Sequence, residues 1–142
     1  MKRFLLSFIL LATFPLINSI QATESGHSHK HEHSQIDVSA LTEKPSVSLN
    51  VARDTVGGWN IHVKTRNFRF APENASREPV SGEGHAHLYV DGKKVSRLYG
   101  AWFHLGELSP GRHEIRVTLN ANDHASLVLH GEPVAASTEI IQ

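Results

Sequence analysis

The stretch His85-Ala86-His87-Leu88-Tyr89-Val90-Asp91-Gly92 decides the fold. Ala86, Leu88 and Val90 recur at every second position, the period of a β-strand with one apolar face. Asp91-Gly92 is hairpin-turn chemistry, because both residue types tolerate positive φ. A further run, Lys93 to Tyr99, follows the turn. The same texture extends in both directions. Upstream lie Val47 to Val51, the turn Gly57-Gly58, and Trp59 to Val63, with Trp59, Ile61 and Val63 on one side. Downstream lie Trp102 to Leu105, the turn Ser109-Pro110-Gly111, His113 to Leu119, Leu127 to Leu129 and Val134 to Ile141. Seven or eight short strands with no helical period predict an all-β domain, an antiparallel β-sandwich of immunoglobulin-like or cupredoxin-like kind.

The N-terminal third reads differently. Lys2 and Arg3 precede Phe4 to Ile17, an almost wholly apolar run too short for a stable membrane span. This is the layout of a secretory signal peptide, with Ala22 as its expected last residue. Residues 1–22 are therefore expected to be removed. Residues 23–44 follow as a polar, disordered arm with His27, His29, His31 and His33 at alternate positions. Residues 45–142 form the domain. The expected location is the periplasm or the exterior, with no stable membrane span after cleavage.

Composition narrows the function. The 142 residues carry 14 Lys and Arg against 14 Asp and Glu, 11 histidines and no cysteine. Loss of the signal removes Lys2 and Arg3, leaving 12 basic minus 14 acidic, or −2. Nucleic acid is not the expected partner, since that needs a clustered basic field. With no cysteine there is no lipobox thiol, no disulfide and no thiolate for a blue-copper site. The only methionine is Met1, so a thioether site for Cu(I) is excluded as well.

Histidine is then the chemistry that remains. With Ala86, Leu88 and Val90 in the core, strand alternation sends His85 and His87 to the outer face. By the same rule His62 and His104 face out from their own strands. His-x-His on one strand presents two imidazoles on one side, and neighbouring strands can complete a site. His124, in Asn120-Ala-Asn-Asp-His124, is a further candidate, with Asp123 as a possible orienting acceptor. The same residues are ordinary loop chemistry. His113 reads as a hydrogen-bonded rim residue and His130 as exposed. The candidate ligands are thus His85, His87, His104, His62 and His124, with His27, His29, His31 and His33 as a low-affinity arm. Imidazole donors favour Cu(II), with Zn(II) or Ni(II) as alternatives. Affinity should fall below the ordinary histidine pKa of about 6.5. Outward-facing His85 and His87 should be replaceable at little cost in stability.

Gly82-Glu-Gly-His-Ala-His-Leu-Tyr-Val-Asp-Gly92, Tyr99-Gly-Ala-Trp-Phe-His-Leu105, Ser109-Pro-Gly-Arg-His113 and Leu119-Asn-Ala-Asn-Asp-His124 together resemble a family of small exported bacterial His-rich proteins, as does Asn67-Phe-Arg-Phe-Ala-Pro72. The resemblance covers about residues 47 to 140 and leaves out the His-rich arm. It implies a periplasmic or secreted β-sandwich with copper or related metal handling, and it makes His85, His87, His104 and His124 motif positions. It supplies no activity. The chain has no nucleophile elbow, phosphate loop or paired general acid and base. The expectation is a binding protein rather than an enzyme: a metal buffer or carrier, with another exported protein as a delivery partner. The alternative is an immunoglobulin-like interaction module.

Overall fold

A computed structural model describes residues 34–142, which are nearly all β. The expected signal peptide and His27, His29, His31 and His33 lie outside the described residues. The strands are β1 (Gln35–Asp37), β2 (Ser46–Arg53), β3 (Trp59–Arg66), β4 (Arg69–Phe70), β5 (Glu83–Val90), β6 (Lys93–Leu98), β7 (Trp102–Leu105), β8 (Arg112–Asn120), β9 (Ser126–Leu129), β10 (Glu132–Pro133) and β11 (Ala135–Ile141), with one 3-10 turn at Pro72–Asn74. No helix among the described residues is long and apolar enough to cross a membrane.

Two sheets share one core. β2, β3 and β7 form the smaller sheet, in the order β2-β3-β7. The larger is built on β1-β9-β8-β5-β4, with β6 added to β5, β11 to β8 and β10 to β9. Trp59, Ile61 and Val63 of β3 pack into the same buried cluster as Ala86, Leu88 and Val90 of β5 and Ile115, Val117 and Leu119 of β8. These are the alternating residues of the sequence. Burying each of the larger ones contributes roughly 1.5–3 kcal/mol. Within the large sheet the expected antiparallel pattern is mixed, because β1–β9 and β4–β5 run parallel.

The polar arm ends earlier than its composition suggests. Residues 35–44 were expected within it, yet β1 pairs with β9 and Val38 enters the core, with Ile36 and Leu41 packed against it. Three apolar side chains are too few to order the segment alone. A sheet edge that satisfies its backbone groups makes the difference.

β5 is the strand that carries His85 and His87. It pairs with β8 on one side and with β6 on the other, placing His85 opposite Asn120 and His87 opposite Thr118 and Arg97. Gly84 allows the close approach at its start: a Cβ there would lie 2.0 Å from the carbonyl oxygen of Asn120.

Candidate metal centre

His85 and His87 do leave the core face of β5, as alternation requires, but neither reaches solvent. His85 is 0% exposed and His87 3%. The outward, solvent-facing placement expected for them is thus corrected. The reason is a second, polar layer on the outer face of the sheet. Thr118, Asn120 and Asn122 are buried with the two histidines, and the Tyr99 ring lies 5.3 Å from that of His85.

The loop after β8 closes this layer. Ala121 N–H donates to the Ala125 carbonyl, His124 N–H to the Ala121 carbonyl, and Ala125 N–H to Asp123 Oδ1. Ser76 N–H donates to the Asn122 carbonyl and ties the loop to the preceding segment. Asn120 Nδ2 donates to the His124 carbonyl. So held, His124 adopts φ 74°, a left-handed conformation unusual for a residue with a side chain. Its ring comes down onto the strand, 4.8 Å from His85 and 6.3 Å from His87 between centroids.

Three ring nitrogens converge. His85 Nε2 is 3.0 Å from His87 Nε2 and 3.1 Å from His124 Nδ1. One donor atom from each of the three residues lies within 4.8 Å of the others. A neutral imidazole has one N–H and one lone pair, so His85 Nε2 makes one good hydrogen bond and not two. His85 Nδ1 is also buried without a hydrogen-bond partner, as are both side-chain polar atoms of Asn122. A cation at the shared point would resolve the conflict by accepting three lone pairs at once. Tetrahedral bonds of about 2.0–2.1 Å separate nitrogens by about 3.3 Å, close to the 3.0 and 3.1 Å that His85 Nε2 keeps from His87 and His124. On the far side of the His124 ring, Nε2 faces Ser76 Oγ at 3.4 Å, in position to fix the ring's orientation.

Electrostatics keep the donors neutral. Burial, then the neighbouring His124, Arg97 and Lys94, push the His85 pKa down to about 4. Burial, then His85, Lys94 and Arg97, push that of His87 down to about 3. Near neutral pH both rings therefore carry free lone pairs.

The structure does not bring His62 or His104 to this centre. β3 and β7 pair with each other in the smaller sheet rather than beside β5. His62 stacks on Trp102 at 4.0 Å. His104 is exposed, with Nδ1 3.5 Å from Asn60 Oδ1 and 3.7 Å from Asp54 Oδ2. Both were assigned to the site on the assumption that their strands neighboured β5, and sheet order overturns that. His113 is the hydrogen-bonded rim residue expected, with Nδ1 2.7 Å from Asp91 Oδ2 and Nε2 2.8 Å from the Ser109 carbonyl. His130 is exposed. Thr118, Asn120, Asn122 and Ser76 are the neighbours that sequence reasoning missed. For Thr118 and Asn120 the signal was present, since both lie at alternate positions on the non-core side of β8.

No family model matches the chain, and neither does any curated protein or solved structure.

Proposed function

We propose that this chain is an exported transition-metal-binding protein that buffers or delivers Cu(II), with Zn(II) and Ni(II) as weaker alternatives, through His85, His87 and His124. The observation that carries this reading is the convergence of three imidazole nitrogens, two of them 3.0 and 3.1 Å from the third, in a buried polar layer. An all-nitrogen donor set suits these ions, and Cu(II) binds most tightly in the usual order. The alternate histidines His27, His29, His31 and His33 act as a low-affinity collector ahead of the domain. Lys2 and Arg3 followed by the apolar run Phe4 to Ile17 support export to the periplasm or the exterior.

Calorimetric titration tests this directly. The chain carrying H27Q, H29Q, H31Q and H33Q should still bind one Cu(II) tightly, and adding H87A and H124A should abolish that event. Unchanged binding after the second pair of substitutions would refute the site.

A second reading rests on a different observation. Trp102 is 67% exposed and stacked on His62, an exposed aromatic platform on the smaller sheet that a protein partner would cover. Under that reading W102A removes partner capture while metal binding is unaffected.

A further inference from the structure

The metal reading leaves a contradiction that the neighbouring charges resolve. Arg97 stands directly opposite His87 on β6, and Lys94 opposite Tyr89. Side chains directly opposite one another in an antiparallel pair share a sheet face about 5 Å apart. Both cations are exposed, and neither makes an ion pair among the described residues. Arg97 thus shares the outer face of the sheet with His87, and Lys94 lies one residue pair further along the same face. For a centre whose only task is to hold a divalent cation, two cationic neighbours are a cost.

The donor set makes the problem sharper. Three neutral imidazoles leave the full double charge of the ion uncompensated. No carboxylate is among the three converging groups. The acid nearest in sequence, Asp123, is exposed and accepts the Ala125 N–H with Oδ1. Three protein ligands also leave one position of a tetrahedral site to an outside donor.

We propose that the ion held by His85, His87 and His124 takes a small anion as its remaining ligand, and that Arg97 and Lys94 form the basic lip that draws this anion in. The inference rests on the metal reading above. The ligand class is a small oxyanion, a carboxylate or a phosphate. The ion supplies the bond, and the two side chains supply attraction over the last few ångströms, where screening by salt is incomplete. The cost they impose on the bare ion is then offset in the ternary complex.

The two effects have opposite signs, which makes the proposal testable. The experiment uses the full chain with H27Q, H29Q, H31Q and H33Q, loaded with one Cu(II), and compares it with the same chain carrying R97Q and K94Q. Azide is the probe, read by its ligand-to-metal charge-transfer absorption, with acetate and inorganic phosphate as competitors. The expected result is Cu(II) binding as tight or tighter in the doubly substituted chain, with azide affinity reduced about tenfold, the scale of two partly screened charges. Stronger competition by acetate assigns a carboxylate, and stronger competition by phosphate a phosphate. Equal azide affinity in the two chains would overturn the proposal and reduce Arg97 and Lys94 to solubilising charges on an edge strand. Failure of the metal reading is seen separately, as Cu(II) stoichiometry that does not change with H87A and H124A, and it overturns both.

Discussion

His124, held at φ 74°, sets its Nδ1 3.1 Å from Nε2 of His85, a residue 39 positions earlier in the chain. A left-handed backbone at a non-glycine residue costs of order 1 kcal/mol or more and persists where the surroundings impose it. His124→Gly therefore separates the two roles of this position. Metal affinity is expected to fall as one of three ligands is removed, while the stability of the metal-free chain is unchanged or rises by up to about 1 kcal/mol. Chemical denaturation alongside calorimetry checks this. A large loss of metal-free stability would show that the ring is mainly a packing element.

Gly84 is the position at which one methyl group should damage the site without touching a ligand. Its Cβ would meet the Asn120 backbone carbonyl oxygen at 2.0 Å, a neighbour that cannot swing aside. Gly84→Ala is expected to cost about 2 kcal/mol or more in stability and to push His85 away from the loop that carries His124. Denaturant midpoints and metal stoichiometry read the two effects. A chain of unaltered stability would contradict the close approach of β5 to β8.

Burial at His85 and His87 changes the stability expected of their variants. Replacement of either by Ala removes a buried ring, and a loss of about 2 kcal/mol or more is expected in the metal-free chain. Outward-facing residues would have given almost none. Thermal or urea unfolding distinguishes the two.

The depressed basicity of the same pair sets the pH dependence. Their folded pKa values, about 4 and about 3, lie below the ordinary 6.5. The unfolded chain therefore takes up protons first as pH falls. Stability of the metal-free chain is full above about pH 6.5 and declines between there and about pH 3, by a few kcal/mol in order of magnitude. Metal binding by the folded chain is correspondingly resistant to acid. Three imidazoles of ordinary pKa would lose roughly a thousandfold in affinity between pH 7 and pH 5.5, and a much smaller loss is expected here. Titrations at both values decide it, and a thousandfold drop would contradict the buried, neutral state of the pair.

His113 behaves oppositely. Its ring nitrogens face Asp91 Oδ2 and the Ser109 carbonyl, both acceptors, so only the protonated ring satisfies both. The Asp91 hydrogen bond, then that to Ser109, raises its pKa above 6.5. The stabilisation is complete below pH 6.5 and is lost as pH rises through the raised value. Nuclear magnetic resonance titration should show this upward shift and its reduction in Asp91→Asn.

The strands were legible because their apolar residues alternate, as in Trp59, Ile61 and Val63 or Ala86, Leu88 and Val90. The side on which His85 and His87 lie was legible for the same reason. Their burial was not, because alternation reports which face a side chain takes and not what covers that face. The cover comes from His124 and its loop, brought back over β5 by hydrogen bonds that span the chain, such as Ser76 to Asn122. Nor does a strand's own pattern name its neighbours, and so His62 and His104 were grouped with a strand in the other sheet. β1 was hidden for a related reason: its partner, β9, lies some 90 residues away.

X-ray absorption at the copper edge tests the central claim most directly. The chain carrying H27Q, H29Q, H31Q and H33Q, loaded with one Cu(II), should show three imidazole nitrogens at about 2.0 Å, falling to two in the same chain carrying H124A. A spectrum with one or two imidazoles, or one unaltered by H124A, would contradict a centre built from His85, His87 and His124.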